Sequence, residues 1–389
     1  MKKFVVCVAL IYGVNVHAER YTGINNPMNF NQIMGSKMVT RLSEIPNNGR
    51  LNDIRLGWSE TYWPSNRGGI AYRWNSPDPQ PFKYKLNTLR ELKSMSETEL
   101  SYLSPAELYD ISQSDYNYTL TKKVLSKITA RDLWWEGICH GWAEAAANYP
   151  EPAKVSLTNK DGVKVTFGSS DVKALLAMHD AYNSLGYYSR VGERCDVRGK
   201  APGEEDARDG QLPIPTEEES NLPKCRDVNA GAFHLVLTNM IGIHSRSFVA
   251  DIDRYNDVWN QPIVSYSTSI VGEETVSPED RMSGVERRVK VSTKMTYGEE
   301  LQFESPERVA RGEINFVSKE PVTGTPHQAF RFKIYDYILE IDGSGNVIGG
   351  EWISASRPDF LWGKKRDERF LNSPIPLAGL NAIYRPARR

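Results

Sequence analysis

The chain has 389 residues, with 48 Lys and Arg against 49 Asp and Glu, a net charge of −1, and 9 Trp and 19 Tyr. Such a length with that many aromatic residues supports a sizeable core, while near-neutral charge without a basic stripe gives no footing for nucleic acid. No window is apolar for long enough to span a bilayer.

Lys2 and Lys3 precede an apolar stretch from Phe4 to Val14 and then Val16-His17-Ala18 before Glu19. A positive start, a short apolar centre and small residues at the end describe a Sec-type signal peptide over residues 1–18. Cys7 lacks the small-residue setting of a lipoprotein cleavage site. A mature, exported protein beginning near Glu19 is expected, extracellular or periplasmic, with a charge of about −3 once both lysines are gone. From Glu19 to about Lys83 the chain is rich in Asn, Pro and Gly, with Trp58, Trp63 and Trp74 irregularly spaced. That reads as loops draping aromatic side chains onto a core, and residues 19–120 are read as an N-terminal aromatic-rich region packed there. Ser104-Pro105-Ala106-Glu107 opens a helix, with a serine N-cap, proline at the first position and a capping-box glutamate. A second short helix is predicted over Leu120–Ile128.

Residues 121–389 are read as the catalytic region. It opens on Trp134-Trp135-Glu136-Gly137-Ile138-Cys139-His140-Gly141-Trp142-Ala143-Glu144, where a loop gives way to an Ala-rich helix running to Tyr149 and stopped by Pro150. Helix N-termini present unpaired N–H groups and partial positive charge, and both favour thiolate over thiol. Cys139 is therefore a candidate nucleophile, although a lone cysteine is more commonly a buried structural residue. Lys154 to Phe167 alternates around Asn159-Lys160-Asp161-Gly162, a hairpin signal. Ser169 or Ser170 then caps a helix ending near Gly186, on which His179 reads as a packing residue.

Beyond it the pattern turns to β. Ala232–Ile241 and Ser247–Asp253 are predicted as paired strands around Gly242-Ile243-His244, with further strands at Arg288–Met295, Phe330–Ile341 and Val347–Ile353. Asp342-Gly343-Ser344-Gly345-Asn346 joins the last two. It mimics a calcium loop but lacks glycine at the sixth position and glutamate at the twelfth, so a hairpin turn is the stronger reading. Helices first and an antiparallel sheet afterwards make the class α+β.

Three cysteines remain after the signal: Cys139, Cys195 and Cys225. In an oxidising compartment an odd count means one bridge and one leftover thiol. Cys195 and Cys225 flank a polar, proline-punctuated segment, and a disulfide closing it would stabilise the fold by about 3 kcal/mol in the chain-entropy model. Cys139 is then the free one. A cysteine nucleophile needs a base, and the base an orienting group. His140 adjoins the cysteine on another helix face, His244 sits in a turn and His327 in a loop. His234, in the apolar run Ala232-Phe233-His234-Leu235-Val236-Leu237, is the preferred base. Asp251 lies 17 residues on, a spacing that suits neighbouring antiparallel strands. Asp253 is its rival. The Cys139 N–H is a natural oxyanion donor, and the Trp135 indole could be a second or simply an aromatic wall.

These residues resemble the transglutaminase elicitor family, typified by the cell-wall transglutaminase of oomycete plant pathogens and found also in bacteria. The resemblance rests on Thr61-Tyr62-Trp63-Pro64, Gly68-Gly69-Ile70-Ala71, Leu103-Ser104-Pro105-Ala106-Glu107 and Gly137-Ile138-Cys139-His140-Gly141-Trp142-Ala143. It continues through Ser170-Asp171-Val172-Lys173-Ala174-Leu175, Phe233-His234-Leu235-Val236-Leu237-Thr238-Asn239 and Val258-Trp259-Asn260-Gln261-Pro262, then Gly349-Gly350-Glu351-Trp352 and Arg357-Pro358-Asp359-Phe360. The Trp259 motif matches the start of the family's plant-immunity peptide, whereas Ile263-Val264-Ser265-Tyr266 diverge from it. The resemblance implies a papain-like, transglutaminase-like fold and acyl transfer from protein glutamine to a lysine amine. In it Cys139 is the nucleophile, His234 the base and Asp251 its orienter. It implies protein substrates and no obligatory cofactor, with calcium a candidate because some members depend on it. A monomer is expected. A cysteine peptidase or glutamine deamidase would use the same residues, and a non-enzymatic binding module would use Trp259 as an anchor.

Overall fold

Local capping chemistry starts the N-terminal helices. After α1 (Asn31–Met34), helices α2 (Leu89–Ser94), α3 (Glu97–Leu100) and α4 (Pro105–Ser112) begin at Thr88, Ser96 and Ser104, each in a capping box with Glu91, Glu99 or Glu107. Each box satisfies orphan N–H groups at the helix start. The computed structural model describes residues 20–78, 83–128, 136–183, 188–194, 227–252, 258–276, 284–301, 318–321, 329–366, 369–370 and 374–388. The expected signal peptide, Trp134, Trp135, the expected Cys195–Cys225 bridge, Asp253 and His327 lie outside the described residues.

Helix α5 (Thr119–Leu125) follows, then α6 (Cys139–Asn148), α7 (Ser169–Tyr182), α8 (Ala230–Leu237) and α9 (Leu380–Ile383). The strands are β1 (Asn48–Arg50), β2 (Glu60–Thr61), β3 (Val155–Thr158), β4 (Lys164–Phe167), β5 (Tyr188–Gly192), β6 (Val249–Asp251), β7 (Asn260–Thr275), β8 (Arg287–Gly298), β9 (Glu300–Leu301), β10 (Phe330–Ile341), β11 (Val347–Trp352) and β12 (Phe360–Lys364). One sheet runs β11-β10-β8-β7-β6-β12-β5, with β1 added alongside β7. All of its described pairings are antiparallel.

The predicted hairpin appears as β3–β4, and the Asp342–Asn346 turn joins β10 to β11. Gly345 takes φ +84° there, and the Asp342 carboxylate accepts the N–H groups of Ser344 and Asn346. Trp58 and Trp63 are buried, Trp58 donates its indole N–H to the Tyr149 carbonyl at 2.8 Å, and Trp142 donates to the Trp58 carbonyl at 3.2 Å.

One expectation fails in a way that matters. Ala232–Ile241 is not a strand: residues 230–237 form α8, and a π-helical turn carries the chain on to Ile243. A short run that is apolar on every side fits a buried strand and a buried helix equally, so periodicity cannot choose. The choice is made by Asn229, whose side chain caps the N–H groups of Gly231 and Ala232, and by packing. At Gly231 a Cβ would come within 2.2 Å of the Gly349 carbonyl oxygen, so the bare backbone of α8 rests directly on β11. Strand β6 accordingly pairs with β7 and β12, not with residues 232–241.

The sheet separates two apolar clusters. One joins α4, α6 and α7 to Val249, Phe360 and Trp362; the other joins α8 to Ala250, Ile263, Leu361, Tyr335 and Tyr337. Successive strand residues face opposite sides, so Val249 and Trp362, paired across β6 and β12, share the α6 side, while the paired Ala250 and Leu361 face α8.

Candidate active site

Cys139 is the first residue of α6, and the residues around it pin that helix start in place. The Ile138 N–H donates to the Tyr62 carbonyl at 2.8 Å, and at Gly137 a Cβ would lie 2.5 Å from the same oxygen. At Gly141 a Cβ would lie 2.1 Å from the Ala177 carbonyl, so only glycine lets α6 and α7 approach so closely. The Gly-Ile-Cys-His-Gly spacing is thus a packing requirement on both sides of the cysteine.

The sulfur receives two donors, the His140 backbone N–H and the Asn260 side chain. Asn260 begins β7 and stands opposite Asp251 of β6, so both side chains face α6. The Trp362 indole N–H donates to Asn260 Oδ1 at 2.7 Å, and Asp251 Oδ1 accepts the Trp259 N–H at 2.9 Å. Glu300, at the start of β9, comes from the other side: β9 pairs in parallel with β2, directly before Tyr62, and the Glu300 N–H donates to Gln261 Oε1 at 2.9 Å. Its Oε2 is buried with no hydrogen-bond partner among the described residues.

These surroundings set the charge states. Burial pushes the Glu300 carboxyl up to about 8. Burial first, and then the nearby Glu300 charge, raise Tyr62 to about 12. The same two causes, in the same order, hold the Cys139 thiol well above the usual cysteine range; Asp251 adds to the rise, and the two hydrogen bonds oppose it. Cys139 keeps some contact with solvent, which moderates desolvation, but both acids push in the same direction. These surroundings favour the neutral thiol. The helix start that the sequence offered as a source of thiolate acts through the His140 N–H, and burial beside two carboxyls outweighs it.

Of the sequence-predicted residues, Cys139 and Asp251 are brought together and His234 is not. His234 lies in α8, on the opposite side of the sheet, buried against Tyr337. Its Nδ1 shares a 2.8 Å hydrogen bond with the Tyr337 hydroxyl, which pairs in turn with Thr293 at 2.8 Å. Burial pushes its imidazole down to about 4. A helix in place of the predicted strand moves this histidine to the far face, so the papain-like pairing of Cys139 with His234 is not formed, and Asp251 has no His234 ring to orient. The Asp251 carboxylate instead anchors Trp259, which packs partly buried against the second cluster. His140 hydrogen-bonds the Ala181 carbonyl, and His244 Nε2 pairs with Ser36 at 2.9 Å. His179 pairs with Asp180 at 2.8 Å and stacks edge-on with Phe370, a packing role as expected.

Sequence reasoning passed over Asn260, Glu300 and Trp362. Asn260 stood inside the quoted Trp259 motif, which was the available signal; Glu300 carried none. Among the described residues no group of three or more His, Cys, Asp or Glu is arranged to hold a metal ion, and no helix is long and apolar enough to cross a membrane.

The transglutaminase elicitor family matches residues 131–370. The crystal structure of the GP42 transglutaminase from Phytophthora sojae is similar in fold, with a TM-score of 0.62 and 20% identity over 94% of this chain and 98% of that one. No curated protein matches.

Proposed function

Because this chain belongs to the transglutaminase elicitor family, we propose that it is an exported protein-glutamine gamma-glutamyltransferase working through a Cys139 thioester. The observation that carries the reading is a free, partly exposed thiol at a pinned helix start, with two hydrogen-bond donors on its sulfur. Cys139 Sγ attacks the glutamine carboxamide carbon, the carbonyl becomes an oxyanion, and its collapse breaks the C–N bond and releases ammonia. A lysine amine then takes the acyl group and restores the thiol.

A neutral resting thiol must pass its proton on as it attacks. His234 is on the wrong side of the sheet to receive it. We assign that proton to Glu300, a half-buried residue whose Oε2 is shielded from solvent and whose charge acts on the sulfur. Glu300 accepts the thiol proton and returns it to departing ammonia. A carboxyl pushed up to about 8 is matched to such an exchange under mildly alkaline conditions. Asp251 holds the Trp259 backbone beside the site.

Incubating the mature protein with casein and a labelled primary amine, with and without calcium, tests the reading. Incorporation that Cys139→Ser abolishes supports it. Ammonia release without incorporation would make the protein a deamidase, new N-termini a peptidase, and activity surviving in Cys139→Ser would remove the thioester altogether.

A further inference from the structure

Trp362 has a polar task that its place in an apolar cluster conceals. An indole N–H can only donate, so its partner on Asn260 must be the amide oxygen, and this decides the orientation of the whole amide. With Oδ1 held by Trp362 at 2.7 Å, the Asn260 NH2 group is the end left to meet the Cys139 sulfur. Both side chains are buried, Asn260 at 4% and Trp362 at 5% relative exposure, so water competes little for either bond. Backbone pairing supports the geometry: β6 lies between β7 and β12, pairing with Asn260 on one side and with Trp362 on the other.

We propose that Trp362 and Asn260 form a fixed donor arm, in which the indole locks the amide and the amide NH2 stabilises negative charge first on Cys139 Sγ and then on the acyl-transfer oxyanion. This rests on the Cys139 acyl-transfer reading. Asn260 acts as a catalytic residue and Trp362 as a positioning residue working through it. The amide offers two N–H donors: one stays with sulfur, and the other is free for the oxygen that gains charge when the S–C bond forms. A neutral donor suits this site, because Asp251, and Glu300 once it ionises, place negative charge near the thiol. Preorganisation is the gain, since an amide free to rotate would have to be ordered each time charge develops on the sulfur.

The test uses the full mature chain and two readouts: the pH dependence of Cys139 alkylation by iodoacetamide, which needs no transferase activity, and amine incorporation into casein. Asn260→Ala and Asn260→Asp are expected to slow alkylation at pH 8 about tenfold, move its rise to higher pH, and lower kcat by about 10²-fold with little change in KM. Trp362→Phe keeps an aromatic ring in the cluster while removing the N–H together with part of the indole's volume. It is expected to shift the alkylation profile in the same direction by a smaller amount, which a purely packing role would not do. If Asn260→Ala does not fold, Asn260→Asp and Trp362→Phe carry the test. Wild-type alkylation profiles in both of these would overturn the proposal. A shifted profile in a protein that incorporates no amine would leave the donor arm standing and remove the transferase reading instead.

Discussion

The two faces of the central sheet each bury a polar cluster, and they treat it differently. On the α8 side, His234, Tyr337, Thr293 and Thr268 form a chain of hydrogen bonds, each of 2.8 Å, inside the second apolar cluster. On the α6 side, a thiol, an amide and two carboxyls converge at a point that keeps some contact with solvent, and one Glu300 oxygen finds no partner among the described residues. A chain of paired hydroxyls specifies a core, whereas carboxyls crowded against a thiol cost stability and are retained where chemistry uses them. The histidine belongs to the first kind of cluster and the cysteine to the second.

The largest expected effect breaks or confirms that division directly. Cys139→Ser should reduce amine incorporation to background, a loss of more than about 10³-fold. By contrast, His234→Ala should keep the rate per folded molecule within about threefold while losing about 2–4 kcal/mol in urea unfolding. A folded His234→Ala protein without activity would return this histidine to the site. Next comes Glu300→Gln, expected to lower kcat by about 10²-fold and to erase the alkaline rise in the pH–rate profile.

The same substitution has a stability signature. Folding raises the Glu300 carboxyl from its ordinary 4.5 to about 8. Between these values the folded chain holds a proton that the unfolded chain has released, so stability falls as pH rises through this window. Removing the carboxyl should flatten that decline in denaturant titrations from pH 5 to 8. His234 has the opposite sign. Its folded value of about 4 lies below the ordinary 6.5, so the unfolded chain takes up a proton first and stability falls as pH drops from about 6.5 to 4. His234→Gln should flatten that acid limb; an unchanged limb would mean the ring is not held neutral. The smallest effect is expected for Tyr337→Phe, about 1 kcal/mol in unfolding from loss of the hydroxyl between His234 and Thr293, with incorporation unchanged.

Much of the fold was legible because it follows from neighbours in the chain. The Ser104 capping box, the Asn159–Gly162 hairpin and the Asp342–Asn346 turn are local hydrogen-bond patterns, and the structure realises each one. Phe330–Ile341 matches its predicted bounds because alternating residues suit a strand in any context. Cys139 at a helix start was readable for the same reason, from an alanine-rich run with glycines on either side. Ala232–Leu237 was not, since its residues are apolar on all faces and local preference leaves helix and strand nearly equal.

The sequence by itself therefore determined the Ser104 cap, the two turns, six of the twelve described strands and the placing of one thiol at the head of a helix. Tertiary structure alone decided what that thiol meets. Asn260, Trp362 and Glu300 come from β7, β12 and β9, more than a hundred residues from Cys139, and only sheet order and register set them beside it. The side of the sheet on which His234 lies was likewise settled by packing, because burial energy depends on which surfaces meet and not on how residues are spaced along the chain.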